Sequence, residues 1–430
     1  MNRLKYLILF LPAIFSLSCS QKQDKTEAIA LNKLAEKYVR LGLYIGQYDT
    51  DFVDAYYGPD SLKPRNKQDV FPKDSLLKSI SSMLNELEQI SVSNSGKSQL
   101  RAKWMSHQLR AFSRRIRVFS GEYGTFDEES IDLFGVKAPD YSEKHYQLLV
   151  DSLDILLPGT GNVQDRFQDL ANRFIIPKSK LDTIFKVAIA EARKRTLEHY
   201  KLPTEEKFTL EYVTNKSWSG YNWYKGNYTS EIQINTDIRI YIERAIDVGS
   251  HESYPGHHVY NMLLEKNLYR DRGWVEISMY PLFSPQSLIA EGSANYGIDL
   301  AFPGNDKIYF AKEVILPLAG LDTTGIELYF KALAIRAKLN YARNEAGRGI
   351  VNGTMNDKQA LDWLIKYCLY NEETALKSIN FIKKYRTYVI NYNYGQDLVK
   401  KYIEINTDDK RWEAFGQLLS NPVLPEDLMK

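Results

Sequence analysis

Apolar side chains return every three or four residues through most of this chain, the spacing of helices that bury one face. "TEAIALNKLAEKYVRLGLYIGQYD" places Ile29, Leu31, Leu34, Tyr38, Val39 and Leu41 mostly on one side. "SLLKSISSMLNELEQISV", "SQLRAKWMSHQLRAFSRRIRVFSG" and, after Pro177, "KSKLDTIFKVAIAEARKRTLEHYKL" repeat the pattern, as do several segments beyond residue 237. "LLPGTGNVQD" is a clear break. One stretch departs from helical spacing. From about Phe208 to Thr236 the chain is rich in Tyr, Thr, Trp and Ile, is interrupted by Gly220 and Gly226, and alternates in "SEIQINTD". The expectation is a mainly α fold with one small antiparallel sheet, placed just ahead of the histidine-rich segment discussed below.

The leader "MNRLKYLILFLPAIFSLSCSQK" has a basic start and an apolar run of signal-peptide length, too short for an ordinary membrane span. "SLSC" resembles a bacterial lipobox, with Leu17 nearer the cysteine than usual, and the alternative is a plain signal peptide with an incidental cysteine. Residues 1–19 are thus expected to be a leader ending in a lipidated Cys19, 20–30 a polar tether, 31–205 a helical region, and 206–430 a second region, integrated with it, that holds the histidine-rich segment discussed below. Lipidation would anchor the protein in the cell envelope. Ser20, where an aspartate favours inner-membrane retention in some bacteria, points to the outer membrane. Cys368, in the apolar "LDWLIKYCLY", is expected to be a buried core thiol with no disulfide partner. Formal charge is +2, and no basic run interleaved with aromatics is present, so nucleic acid is not an expected partner. Oligomeric state is not readable from the sequence.

Of six histidines, three fall within "HESYPGHHVY" at His251, His257 and His258. A zinc-binding helix usually carries histidines at i and i+4, one turn apart on one face. On a straight helix His257 stands about 240° around the axis from His251, and His258 about 10.5 Å along it. Neither can share an ion with His251 unless the backbone deforms. Pro255 removes a helical donor and Gly256 relaxes the backbone, so a break there would swing His257 or His258 back toward His251. A third ligand is available in "SLIAEGSANYGIDLAF", where Glu291 is surrounded by Gly292, Ser293, Ala294 and Gly297, small residues that admit a neighbouring helix. Asp247, one turn before His251, is a candidate to orient it.

"HESYPGHH" with a downstream "EGSANYG" resembles domain-of-unknown-function family 885, which shows H-E-x-x-P-G-H-H followed by E-G-W-A-x-Y. "LLPGTG" with the following "RF" and "IP", and the C-terminal "RTYVINYNYGQDL", are looser matches, and the resemblance spans most of the chain beyond the leader. It implies a zincin-like multi-helix metallopeptidase fold, often in a lipoprotein, with one Zn²⁺ on His251, His257 and Glu291, His258 as rival ligand, and Glu252 as general base. Two departures stand out. Ser293 replaces the family's tryptophan, and "RNEAGRGIVNGTM" lacks the histidine of the family's Asp-x-Gly-x-His segment.

Such a site needs a donor for the developing oxyanion, for which Arg386, Tyr392 and Tyr394 are candidates. The alternating strand "SEIQINTD", read as a sheet edge, suggests an extended peptide or protein substrate paired through main-chain hydrogen bonds. The competing readings are a non-catalytic peptide- or glycan-binding surface lipoprotein and a zinc amidase or esterase.

Overall fold

The computed structural model describes residues 13–93, 96–216, 218–407 and 409–430; for residues 13–27 it describes only the helical backbone. The expected leader therefore lies outside the described residues over 1–12, as does the side chain of Cys19.

The chain is mainly helical, as the apolar spacing predicts. In order the elements are α1 (Ala13–Gly46), β1 (Val53–Tyr56), α2 (Lys73–Ser93), α3 (Lys97–Phe119), α4 (Phe126–Phe134), α5 (Glu143–Leu156), α6 (Val163–Asn172) and α7 (Leu181–Leu197). Then follow β2 (Lys207–Val213), β3 (Gly220–Gly226), β4 (Thr229–Asn235), α8 (Ile242–Glu252), α9 (His257–Leu264), β5 (Met279–Pro281) and α10 (Pro285–Ala301). Later helices include Ile326–Leu339, Ala342–Val351 and Ile390–Ile403. Helices α4 and α6 are set by local capping. Thr125 and Glu128 form a capping box, and Asn162, inside the "LLPGTGNVQD" break, accepts from the Asp165 amide. No described helix is long and apolar enough to cross a membrane.

The sheet falls where the alternation predicts, but its pairing is mixed. Its order is β2-β4-β3: β3 runs antiparallel to β4 and β2 runs parallel to it. The β3–β4 hairpin turns at Asn227 and Tyr228, both with positive φ, as a tight two-residue hairpin demands. "SEIQINTD" is consequently the central strand, with both edges hydrogen-bonded, and not the edge strand expected. Its Ser230, Ile232 and Ile234 are fully buried beneath the helices. A second ribbon pairs β1 with β5, antiparallel, and ties the N-terminal helices to the segment before α10. Buried side chains from Leu31 to Leu428 form one continuous core, so regions 31–205 and 206–430 share it.

Helix α10 runs through the middle. Only Asn295 and Asp299 on it escape full burial, and a helix buried on every side belongs to a core interior. It packs on α8 and along the helix Ile390–Ile403. The small residues around Glu291 allow this. A Cβ at Gly292 would strike the Gly395 backbone, and one at Gly297 would lie 3.0 Å from the Pro255 ring.

Candidate metal centre

Helix α8 buries Ile242, Ala245, Ile246 and Val248 and packs on α7. It carries His251 and Glu252 in its last turn and stops at Ser253, whose amide and hydroxyl both donate to the Gly249 carbonyl. The peptide Tyr254–Pro255 is cis, and α9 begins at His257. Gly256 sits directly over the end of α8; a Cβ there would collide with the His251 carbonyl oxygen. The backbone thus deforms at Pro255–Gly256, as the helix arithmetic requires. His257, at the start of the new helix, meets His251 with ring centroids 4.6 Å apart and planes at 89°.

Glu291 arrives from α10. Its Oε2 lies 3.3 Å from His251 Nε2 and 3.7 Å from His257 Nε2, all three side chains being nearly buried. Among the described residues, these three side chains bring ligand atoms within 4.8 Å of one another and can hold a metal ion. Hydrogen bonding fixes the tautomer of His251. Asn295 Nδ2 donates to the Tyr392 carbonyl at 2.8 Å, which leaves Asn295 Oδ1 facing His251 Nδ1 at 2.9 Å. An amide oxygen only accepts, so Nδ1 carries the proton and Nε2 is bare when the ring is neutral. That bare nitrogen faces a buried carboxylate oxygen with no hydrogen-bond partner. Two lone pairs so placed repel unless a positive charge stands between them, and the donor set therefore fits a cation. In the chain by itself the neighbouring His257 supplies positive charge. Burial disfavours a charged His257, but Glu291, Glu252 and Asp54 outweigh it and push the imidazole up to about 9. Burial likewise opposes ionisation of Glu291, and the two histidines overcome it and hold the carboxyl far below its ordinary range.

Tyr388 donates to the other Glu291 oxygen, Oε1, at 3.0 Å. Glu252 is buried beside the cluster, and its carboxyl is raised by burial and by Glu291 against the pull of both histidines and Arg244. Gly220 of β3 makes room for it: a Cβ there would lie 3.1 Å from Glu252 Oε1. Asn222 of β3 anchors the Glu252 carbonyl at 2.6 Å. Asp54 of β1 lies within electrostatic reach of His257, Glu291 and Glu252 and accepts a hydrogen bond from Tyr221. Burial is the main cause that lifts its carboxyl to about 6.

Other sequence candidates lie elsewhere. His258, the rival ligand, is fully buried, with Nδ1 on Ser230 Oγ at 2.8 Å and Nε2 on Glu206 at 3.0 Å; both nitrogens are engaged away from the cluster. Asp247 pairs with Lys307 at 3.0 Å, so Asn295, not Asp247, orients His251. Arg386 makes two hydrogen bonds, 2.6 and 2.8 Å, to the buried Glu129. Tyr392 and Tyr394 sit two apart on a helix and face different ways. Tyr392 feels Glu291 and Glu252, while Tyr394 feels Tyr141 and Asp397. Cys368 is buried and free, as expected. Tyr388, Asn295 and Asp54 were not foreseen. Tyr388 stands in the quoted "RTYVINYNYGQDL", and Asn295 is one turn beyond Glu291, a spacing that could have marked it.

No family model matches this chain, and no curated protein matches it. Solved structures do. A protein from Colwellia psychrerythraea described as a lipoprotein is 13% identical with a TM-score of 0.51, over 83% of this chain and 68% of that one. A protein from Shewanella oneidensis described as a lipoprotein of unknown function is 11% identical, TM-score 0.44, over 81% and 73%. Metallocarboxypeptidase 1 of Trypanosoma cruzi is 10% identical, TM-score 0.42, over 94% and 91%. At 13% identity, what this chain shares with the Colwellia protein is its fold.

Proposed function

We propose that this protein is a zinc-dependent hydrolase of peptide bonds, held at the bacterial envelope through a lipid on Cys19 and related to domain-of-unknown-function family 885. One observation carries the reading: two histidine Nε2 atoms and an unpartnered buried carboxylate oxygen converge, with a second buried carboxylate, Glu252, beside them. Donors about 2.0–2.1 Å from one Zn²⁺ in a tetrahedron stand about 3.3–3.4 Å apart, close to the 3.3 and 3.7 Å found here. Two imidazoles and one carboxylate form the ligand set of catalytic rather than structural zinc.

Bound there, the ion would supply Lewis acidity toward a scissile carbonyl and an attacking water. The chain does the rest. Glu252 takes a proton from the water and returns it to the leaving amine; its burial raises its affinity for that proton. Asn222 fixes its backbone, and Glu252 is not one of the three residues whose ligand atoms converge. Tyr392, which feels Glu291 and Glu252, is the proposed donor toward a developing oxyanion. Asn295 and Tyr388 hold His251 and Glu291 in register. An extended peptide is favoured as substrate by β3, which borders the site and has a strand partner on one edge only among the described residues.

Metal analysis and a peptide-library cleavage assay test this. Stoichiometric zinc in the wild type, lost in His251→Ala, and cleavage abolished by chelator and restored by zinc are expected. Glu252→Gln should keep the zinc and lose the cleavage. Absence of zinc, or cleavage indifferent to chelator, refutes the reading.

A further inference from the structure

The segment "RNEAGRGIVNGTM" lacks the histidine that the family resemblance leads one to expect, but its first residue, Arg343, stands near the metal centre. Two groups of the helix Glu372–Tyr385 hold the side chain in place. Its Nε donates to Ser378 Oγ at 3.0 Å, and its guanidinium carbon lies 4.7 Å from the centre of the Phe381 ring. Asn344, the next residue, exchanges two side-chain hydrogen bonds of 3.0 Å with Asn393, which clamps the helix Ala342–Val351 against the one that carries Tyr392. From Phe381 the centre is one ring away. The rings of Tyr388 and Tyr392 are each 6.4 Å from that of Phe381. Tyr388 donates to Glu291 at 3.0 Å, and the Tyr392 carbonyl holds the Asn295 amide that orients His251. Arg343, Phe381 and Tyr392 are all only partly buried, so solvent reaches each of them. The basic residues around Arg343 have acids of their own: Arg348 pairs with Asp127, Arg386 with Glu129 and Lys384 with Asp51. Arg343 has no carboxylate partner among the described residues, and its Nη1 and Nη2 meet no protein acceptor there. Stacking on Phe381 uses the face of the guanidinium and leaves this edge free. Two parallel N–H groups on a fixed edge match the two oxygens of a carboxylate.

We propose that Arg343, held by Ser378 and Phe381, binds a carboxylate of the substrate through its Nη1 and Nη2, with Phe381 and Tyr392 lining the way from that carboxylate to the His251–His257–Glu291 cluster. The carboxylate is either the carboxy terminus of a peptide, which would make cleavage start from that end, or an acidic side chain near the scissile bond. Arg343 is thereby a specificity-determining residue. This rests on the hydrolase reading above for the word substrate, but carboxylate-selective binding itself can be measured without turnover.

The test is calorimetric binding to Glu252→Gln protein in buffer containing zinc, with and without Arg343→Gln. The ligands are short peptides of equal length with a free or amidated carboxy terminus, each carrying glutamate or glutamine near the middle. Arg343→Gln is expected to weaken peptides that carry a carboxylate by about tenfold or more and to leave the amidated glutamine peptide within about twofold. Zinc content should stay unchanged. Selectivity that follows the carboxy terminus identifies the terminal carboxylate, and selectivity that follows glutamate identifies an acidic side chain. Ser378→Ala, which releases the guanidinium but keeps its charge, should weaken the same peptides by a smaller factor, a check that survives if Arg343→Gln does not fold. Equal binding of peptides with and without a carboxylate by Glu252→Gln protein with Arg343 intact overturns the proposal. So does equal loss for both classes in Arg343→Gln, or loss of zinc. Wild-type protein that cleaves nothing yet keeps the carboxylate selectivity sinks the hydrolase reading and spares the subsite. Cleavage without carboxylate preference does the reverse.

Discussion

Gly292→Ala separates packing from helix propensity by the sign of its effect. Gly292 lies inside α10, where alanine is favoured over glycine by about 1 kcal/mol, so an uncrowded site would gain stability. This site is crowded. The new Cβ would lie 3.0 Å from Gly395 Cα and nearer still to the Gly395 carbonyl, whereas ordinary contact begins at 3.4 Å. These neighbours are backbone and cannot rotate away, so α10 and the helix Ile390–Ile403 must part by about 1 Å, at an overpacking cost of about 3 kcal/mol. The net loss is about 2 kcal/mol. For 430 residues the unfolding entropy is about 0.9 kcal/mol per kelvin, so calorimetry should show a melting point about 2 °C lower. The same displacement moves Glu291, the neighbouring residue, away from His251 and from its Tyr388 donor, and zinc affinity should fall by about tenfold or more. Gly395→Ala is the control. Its Cβ meets Leu288 O at 2.9 Å and Gly292 Cα at 3.3 Å, a milder clash, so it should destabilise less. A Gly292→Ala protein that melts at or above the wild type, or that binds zinc unchanged, refutes the close-approach argument.

Asn295→Ala should lower zinc affinity by about 10–100-fold in a competition titration with a chelating dye, because His251 loses the acceptor that selects its tautomer; unchanged affinity would mean that Asn295 does not orient the ring. Tyr388→Phe leaves Glu291 Oε1 buried without a donor and should cost about 1–3 kcal/mol in urea unfolding; a cost near zero would show that another donor replaces it. Glu206 supplies the pH test. Burial opposes its ionisation, but His258, Tyr254 and Arg193 overcome that and hold the carboxyl at about 2 against an ordinary 4.5. The folded value lies below the unfolded one, so its stabilisation is complete above pH 4.5 and is lost as pH falls toward 2. About 2–3 kcal/mol should disappear over that window in the wild type and be missing from the acid limb of Glu206→Gln; parallel pH profiles for the two proteins would refute it.

What was legible in the sequence follows from what is local. Helical spacing, the strand-rich stretch and the break at Pro255–Gly256 are each decided by side chains within a few residues of one another, and each stands where it was expected. Glu291 was readable for the same reason, since the glycines that admit Gly395 and Pro255 adjoin it. The misplacements share a cause too. Whether "SEIQINTD" is an edge or a centre depends on β2 returning parallel to it, a choice that alternation does not encode. His258 and Asp247 carry suitable chemistry at suitable spacing, yet Glu206 and Lys307, remote in sequence, satisfy them first. Asp54 is the converse. Nothing around "TDFVDAYYG" marks it, and only the pairing of β1 with β5 and the reach of Tyr221 bring its charge to the cluster. The candidate ligands thus sit on three consecutive helices, α8, α9 and α10, while groups that surround them come from across the core. A search confined to the H-E-x-x-P-G-H-H segment would find two of the three candidate ligands and miss Glu291 and the groups that hold it.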